Sequence, residues 1–291
     1  MPTAISRMLL CGALCAAAGV SPVAAAPRPS PAPAQLTQPT IEAFARYMRL
    51  TEARNDEELR RGAPFLWVDS LPDPQPQAAY AELRGGQVRM ERLETLENGK
   101  PLKCPHGLIH HWVGAIFIPG ATLEQTLRLL QDYDHHSIYY KPDVQRSKIL
   151  ERRGDDFKVF LRFRRKKIIT VVLNTEHEIH YFPMDATRAH SRSRATRIAE
   201  VENHDAPDER EKPVGDDGGY LWRMDTYWRF VQRDAGTYVQ CEVVSLTRDI
   251  PFALRWLIGP FVTSIPRETL AATLTATRAA LERKPTAGAS R

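Results

Sequence analysis

No C-x-x-C and no H-E-x-x-H occurs in the 291 residues, so the common zinc spacings are absent and neither metal nor cofactor is expected. His110-His111 and His135-His136 are the only imidazole pairs that could combine around an ion, and their spacing matches no such motif. No nucleic-acid-binding motif accompanies the formal net charge of +5, so nucleic acid is not an expected partner. No internal repeat is visible, which excludes solenoids and propellers. Long apolar runs are missing as well. Met8 to Val20 is too short to cross a bilayer, and Ile250 to Val262 is broken by Pro251, Gly259 and Pro260. The latter is expected to pack under a sheet. Cysteine is scarce: of four, Cys11 and Cys15 fall in the first apolar run, leaving Cys104 and Cys241. Those two could form a disulfide in an oxidising compartment or remain as buried thiols.

What the ends do contain is an export pattern. Arg7 supplies a positive start, Met8 to Val20 an apolar segment, and Val23-Ala24-Ala25 a small-residue cleavage site. Residues 1–25 are expected to be a bacterial leader, removed on the way to the periplasm or the exterior. Residues 26–39 carry Pro27, Pro29, Pro31, Pro33 and Pro39 and should form an extended tether. Residues 40–103 then read as a helical and irregular extension, with the main domain at 104–285 and a disordered tail at 286–291.

Within the extension, Thr40 is placed to cap a helix whose apolar side carries Ile41, Phe44, Ala45, Met48 and Leu50, fading through the charged stretch 52–61. Pro64, Pro72, Pro74 and Pro76 make 62–77 an irregular strap pinned by Phe65, Leu66 and Trp67. Asn98-Gly99 is a favoured hairpin turn. A strand is expected over His110–Pro119, then a helix capped by Thr122 with Leu123, Leu127 and Leu130 on one side. Strands follow near 144–152, 157–165, 168–182 and 188–201. Phe157, Val159, Leu161 and Phe163 share one face, with Lys158, Arg162 and Arg164 on the other. The charged, breaker-rich segment 203–219 is expected to be a mobile loop.

The last third alternates most clearly. Tyr220, Trp222, Met224, Thr226, Trp228 and Phe230 fall on one side of a strand; Arg233 to Gly236 is a turn, with Gly236 available for positive φ; Tyr238 to Thr247 returns antiparallel. After Pro266, Leu270, Leu274, Thr277 and Leu281 form a mainly apolar helical stripe. A hairpin of long strands closed by a C-terminal helix is the end of a helix-grip domain. The expected class is therefore α+β: a curved antiparallel sheet wrapped around a long C-terminal helix, with an N-terminal helical extension.

The order strand, two helices, antiparallel strands, long helix resembles the START-like superfamily, which includes polyketide cyclases and lipid-transport domains. The segments G-Y-L-W-R-M-D-T-Y-W-R-F, Y-V-Q-C-E-V-V-S-L-T-R-D-I-P and P-R-E-T-L-A-A-T-L-T-A-T-R are similar to those of its exported bacterial members. The resemblance covers about 104–284 and implies a deep apolar cavity between sheet and helix. Ala189, Ser191, Ser193 and Ala195 on one strand face agree, since they leave space rather than fill it.

Eight residues are candidates for binding a ligand there: His135, Tyr139, Tyr140, His177, Trp222, Met224, Trp228 and Glu242. His135, Tyr139 and Tyr140 lie in the densest polar-aromatic cluster, either an entrance gate or a solvated helix end. His177 shares a strand face with apolar residues and is a core histidine or a general base. Glu242 either pairs across strands with Arg223 or Arg229 or serves as an acid. Trp222, Trp228 and Leu274 are expected to border the empty room. Arg162, Arg164, Arg165, Lys166 and Lys167, with Arg192, Arg194 and Arg197, form a solvated turn and face or a site for an anionic membrane surface. The expected function is binding of a hydrophobic small molecule or lipid without chemistry. A cyclase- or dehydrase-like enzyme and an envelope interaction module with a filled cavity are the alternatives.

Overall fold

In the computed structural model the described residues are 34–167, 169–250 and 255–283, with side chains from 264 onward in the last stretch. The expected leader, most of the tether, the tail and Ile168 lie outside them. Strand β1 (Ala34–Gln35) precedes helix α1 (Gln38–Arg61). Thr40 does not cap α1. Thr37 occupies the cap position and Pro39 sits in the first turn, where a missing N–H loses no helix bond. Thr40 donates instead to the carbonyl of Pro105, 2.8 Å away. A strap with a 3-10 turn at Trp67–Ser70 leads to α2 (Gln75–Arg84) and β2 (Arg89–Arg92). The hairpin β3 (Leu96–Glu97) and β4 (Lys100–Pro101) turns at Asn98-Gly99, both at positive φ as such a turn requires.

The main run is β5 (Gly107–Pro119), α3 (Leu123–Gln131), α4 (His136–Tyr139), β6 (Val144–Arg153), β7 (Asp156–Lys166), β8 (Thr170–Pro183) and β9 (Arg188–Glu202). Thr122 caps α3 as expected: its hydroxyl accepts from the Gln125 N–H at 3.1 Å, and the Gln125 side chain accepts from the Thr122 N–H at 2.9 Å. Short β10 (Arg210–Glu211) and β11 (Asp216–Asp217) precede β12 (Arg223–Arg233), β13 (Gly236–Arg248) and α5 (Arg255–Glu282). Helix α5 thus begins well before the expected start after Pro266, taking in much of the apolar connector.

The main sheet runs β2-β5-β13-β12-β9-β8-β7-β6, every pair antiparallel, with β10 added on β9. Its edge strand β2 comes from the segment expected to be an extension. Alternation then gives the sheet two faces. Ile116, Ile118, Ala189, Phe230, Val239 and Cys241 point inward onto Leu123 and Leu130 of α3 and Leu270 and Leu274 of α5. Val244, Leu246 and Tyr227 point outward onto Phe44, Tyr47 and Met48 of α1. Ala115, Phe117, Val231 and Tyr238 meet the strap and α2. The apolar stripe of α1 therefore lies against the chain's own sheet.

Helix α5 packs tightly on Gly114, where an added Cβ would stand 2.9 Å from Leu274 Cδ1 and 3.1 Å from Leu270 Cδ2. At the far end of the sheet, Lys167 beyond β7 reaches Glu268 of α5 at 2.7 Å. The helix is held from both sides, and β12, β9 and β8 pass beneath it. This is a helix grip: a large curved antiparallel sheet closed by the C-terminal helix.

Two local expectations change. The β12–β13 turn places positive φ at Asp234 and Ala235, not at Gly236. Gly236 is required for proximity instead: a Cβ there would lie 2.5 Å from the Ile118 carbonyl oxygen. Segment 203–219 is tied down. β10 pairs with β9, β11 pairs with β1, Glu209 grips Arg162 at 2.7 Å, and Glu200 accepts from the Gly218 N–H at 2.7 Å. Among the described residues no helix is long and apolar enough to cross a membrane.

Candidate functional site

Cross-strand register sets out the inner face as rows. Trp112, Val243, Thr226, Ser193, Ile179 and Phe157 are successive neighbours across β5, β13, β12, β9, β8 and β7. A second row holds His110, Ser245 and Met224, continued by Ala195, His177 and Val159. A third holds Gly114, Cys241, Trp228, Ser191 and Tyr181.

Trp112, Val243, Thr226, Met224 and Trp228 remain only partly buried. These residues sit on β5, β13 and β12, whose outer face is covered by α1, the strap and α2. Their remaining exposure therefore opens onto the inner side, and the floor beneath α5 is not packed solid. The small side chains of Ser191, Ser193 and Ala195 widen the same space.

His177 is 4% exposed on this floor. Its Nε2 lies 2.8 Å from Thr175 Oγ1, and the Thr175 hydroxyl donates to the Leu161 carbonyl at 3.0 Å. With that proton committed, the hydroxyl must accept, so Nε2 carries the imidazole proton and Nδ1 keeps a lone pair. Burial depresses the His177 pKa to about 4, and the ring is neutral at physiological pH.

The eight sequence candidates are not brought together. His177, Met224 and Trp228 share the inner floor. Tyr140 is buried where α4 meets α5, its hydroxyl 3.1 Å from Thr277 Oγ1. His135 and Tyr139 turn away, both held by Asp132 at 2.7 and 2.6 Å. Trp222 precedes the first residue of β12, so it escapes the alternation of that strand. It packs on the outer face with Phe44, Tyr47 and Met48, its indole N–H donating to Asp217 at 3.0 Å. Of the three residues expected to border the empty room, Trp228 and Leu274 lie on the inner side and Trp222 does not.

Glu242 also faces outward, beneath α1, and its partners are neither Arg223 nor a direct bond to Arg229. His111 Nε2 lies 2.8 Å from Glu242 Oε1, and Arg54 of α1 donates to the same oxygen. The Thr95 N–H donates to Tyr47 Oη at 2.8 Å, leaving the Tyr47 proton for His111 Nδ1, also at 2.8 Å. Burial by itself raises the Glu242 pKa, but the His111 hydrogen bond and the charges of Arg54 and Arg229 outweigh it, and the net shift is downward. Arg229 reaches Asn55 at 2.9 Å and Glu58 at 2.6 Å. This buried network fastens α1 to the sheet; His111 is 1% exposed, so no substrate reaches it. No pattern in the sequence marks it, because its members come from α1, β5 and β13.

His110 and His111 point to opposite faces, His110 toward Thr247 at 3.0 Å. Among the described residues no three His, Cys, Asp or Glu side chains gather in a metal-binding group. Cys104 and Cys241 are likewise separated: Cys241 belongs to the inner core, Cys104 packs on the outer side, and both are free thiols.

A groove of about 680 Å³ lies on the outer face, where Glu151, Lys158, Glu178 and Arg194 line sheet left uncovered by α1. Its charges pair with one another, as in Lys158 with Glu178 at 3.4 Å and Arg194 with Asp225 at 3.0 Å. Six of the other candidate membrane-facing cations are similarly engaged: Arg162 with Glu209, Arg164 with Asp205, Arg165 with Asp143, Lys167 with Glu268, Arg192 with Asp56 and Arg197 with Glu211.

No protein-family model matches the chain, and neither does any curated protein sequence. Among solved structures it is similar to a STAR-related lipid transfer protein fragment from Xanthomonas axonopodis. Identity is 16% and TM-score 0.42, covering 66% of this chain and 98% of that one. The Zhui aromatase/cyclase from Streptomyces sp. R1128 is similar at 14% identity and TM-score 0.42, over 62% of this chain and 100% of that one. Human STARD10 follows at 10% identity and TM-score 0.39, over 72% and 80%.

Proposed function

We propose that this chain holds a hydrophobic small molecule or lipid between the inner face of the sheet and α5, outside the cytoplasm after removal of residues 1–25. One observation carries the reading: apolar side chains at the centre of the floor, Trp112, Met224, Trp228 and Val243, keep accessible surface beneath a helix. Covering ~400 Å² of apolar ligand surface there would contribute on the order of 10 kcal/mol. Association costs of roughly 4 kcal/mol or more leave up to about 6 kcal/mol, a dissociation constant on the order of tens of micromolar, without any reactive group. The export half of the proposal rests on Arg7, the run Met8 to Val20 and Val23-Ala24-Ala25.

A cyclase-like reading would place a general base at His177. There the side-chain partner is the Thr175 hydroxyl rather than an orienting carboxylate, which favours binding over proton transfer.

Val243→Trp tests the location, because the larger side chain would occupy the floor between Trp112 and Thr226. Titration with the fluorescent apolar probe 1-anilinonaphthalene-8-sulfonate should show at least a tenfold weaker affinity, with the urea midpoint nearly unchanged. Equal affinity in the two proteins would move the binding surface elsewhere.

A further inference from the structure

The inner floor is not uniformly oily. Ser193 and Thr226 are direct cross-strand neighbours at the middle of the central row, with Ser191 and Ser245 in the flanking rows. Ser191 is 2% exposed and Ser245 4%. Among the described residues these four hydroxyls make no hydrogen bond to the protein, and none of their oxygens is sealed away without a partner, so each faces open space. Beyond them the row ends in carbon on both sides, Val243 and Trp112 one way, Ile179 and Phe157 the other. Strands stand about 4.8 Å apart, so the row measures roughly 24 Å with its hydroxyls near the centre.

We infer that the ligand is an elongated apolar molecule bearing a hydroxyl or carbonyl oxygen partway along its length, seated at Thr226 and Ser193. This rests on the binding reading above and narrows it to a chemical class. A plain hydrocarbon chain laid over the row would strip water from hydroxyls that have no protein partner, and nothing would replace it. An oxygen at mid-length satisfies them while both ends stay on apolar floor. The His177 imidazole, with a neutral ring and an Nδ1 lone pair, belongs to the neighbouring row and adds an acceptor to the same polar centre.

The test compares stearate with 12-hydroxystearate, which differ by one mid-chain hydroxyl, as competitors for 1-anilinonaphthalene-8-sulfonate on the mature chain. One recovered hydrogen bond corresponds to about tenfold, and 12-hydroxystearate should bind tighter by that factor. Thr226→Val, which keeps the shape and removes the hydroxyl, should bring the ratio close to one, in part by tightening stearate, which no longer strips water from that hydroxyl; Ser193→Ala should lower the ratio in the same direction. Equal binding of the two acids to the wild-type chain overturns the inference and leaves the apolar chamber standing. A preference that survives both substitutions also overturns it. If neither acid competes and the probe itself does not bind, the chamber reading fails and the inference with it.

Discussion

Replacing Glu242 with Ala should destabilise the fold by about 3 kcal/mol, since breaking a buried ion pair typically costs 3–5 kcal/mol. The lower end applies because only one partner can recover. Arg54 has a side chain 36% exposed and can turn toward water, whereas His111 at 1% cannot. The residue also sits on the face that receives α1, so the loss should show first as release of that helix. Urea unfolding gives the free energy, and limited proteolysis between Gln38 and Arg61 reports release. A loss below about 1 kcal/mol would mean that apolar contacts of Phe44, Tyr47 and Met48 alone hold α1. Glu242→Gln, which retains one acceptor for His111, should fall between the two.

Acidification should weaken the protein well before its carboxylates titrate. Burial depresses the pKa of His110, His136 and His177 to about 4, below the ordinary value near 6.5. The unfolded chain takes up these protons near pH 6.5 while the folded chain refuses them until about pH 4. Stability is therefore complete above pH 6.5 and falls as pH drops from there. Each histidine contributes a loss of roughly 2–3 kcal/mol by about pH 4.5. The lowered carboxyl of Glu242 acts in a later window, its contribution being lost only as pH falls below the ordinary carboxylate range. His190 is held as low, about 4, by burial and by the charges of Arg192 and Arg229. His177→Gln should therefore remove about a quarter of the decline in urea midpoint between about pH 7 and 4.5. An identical pH profile in the variant would show that the imidazole is not held neutral.

The fold was largely legible because strand alternation and helix spacing are local. Phe157, Val159, Leu161 and Phe163 align with Ile179, His177, Thr175 and Leu173 on one face, as two-residue periodicity implies. Leu270, Leu274 and Thr277 are buried as their spacing implies. Alternation failed at the strand's end: Trp222 reads in phase with Met224 and Trp228, yet β12 begins only at Arg223. It was also blind to the other layer. The second half of α1 looks too charged to be a packed helix, but Glu52, Asp56 and Glu58 meet Arg194, Arg192 and Arg229. Those partners lie more than a hundred residues away, and no window in the sequence joins them. The same holds for segment 203–219, whose acids read as a solvated loop until the arginines of β7 and β9 stand opposite them.

Native mass spectrometry of the mature chain, purified without detergent and then incubated with a total lipid extract, addresses the central claim most directly. The chamber beneath α5 predicts a 1:1 adduct that organic solvent releases and that Val243→Trp fails to retain. A bare protein mass in every preparation, or an adduct held equally by Val243→Trp, would contradict it.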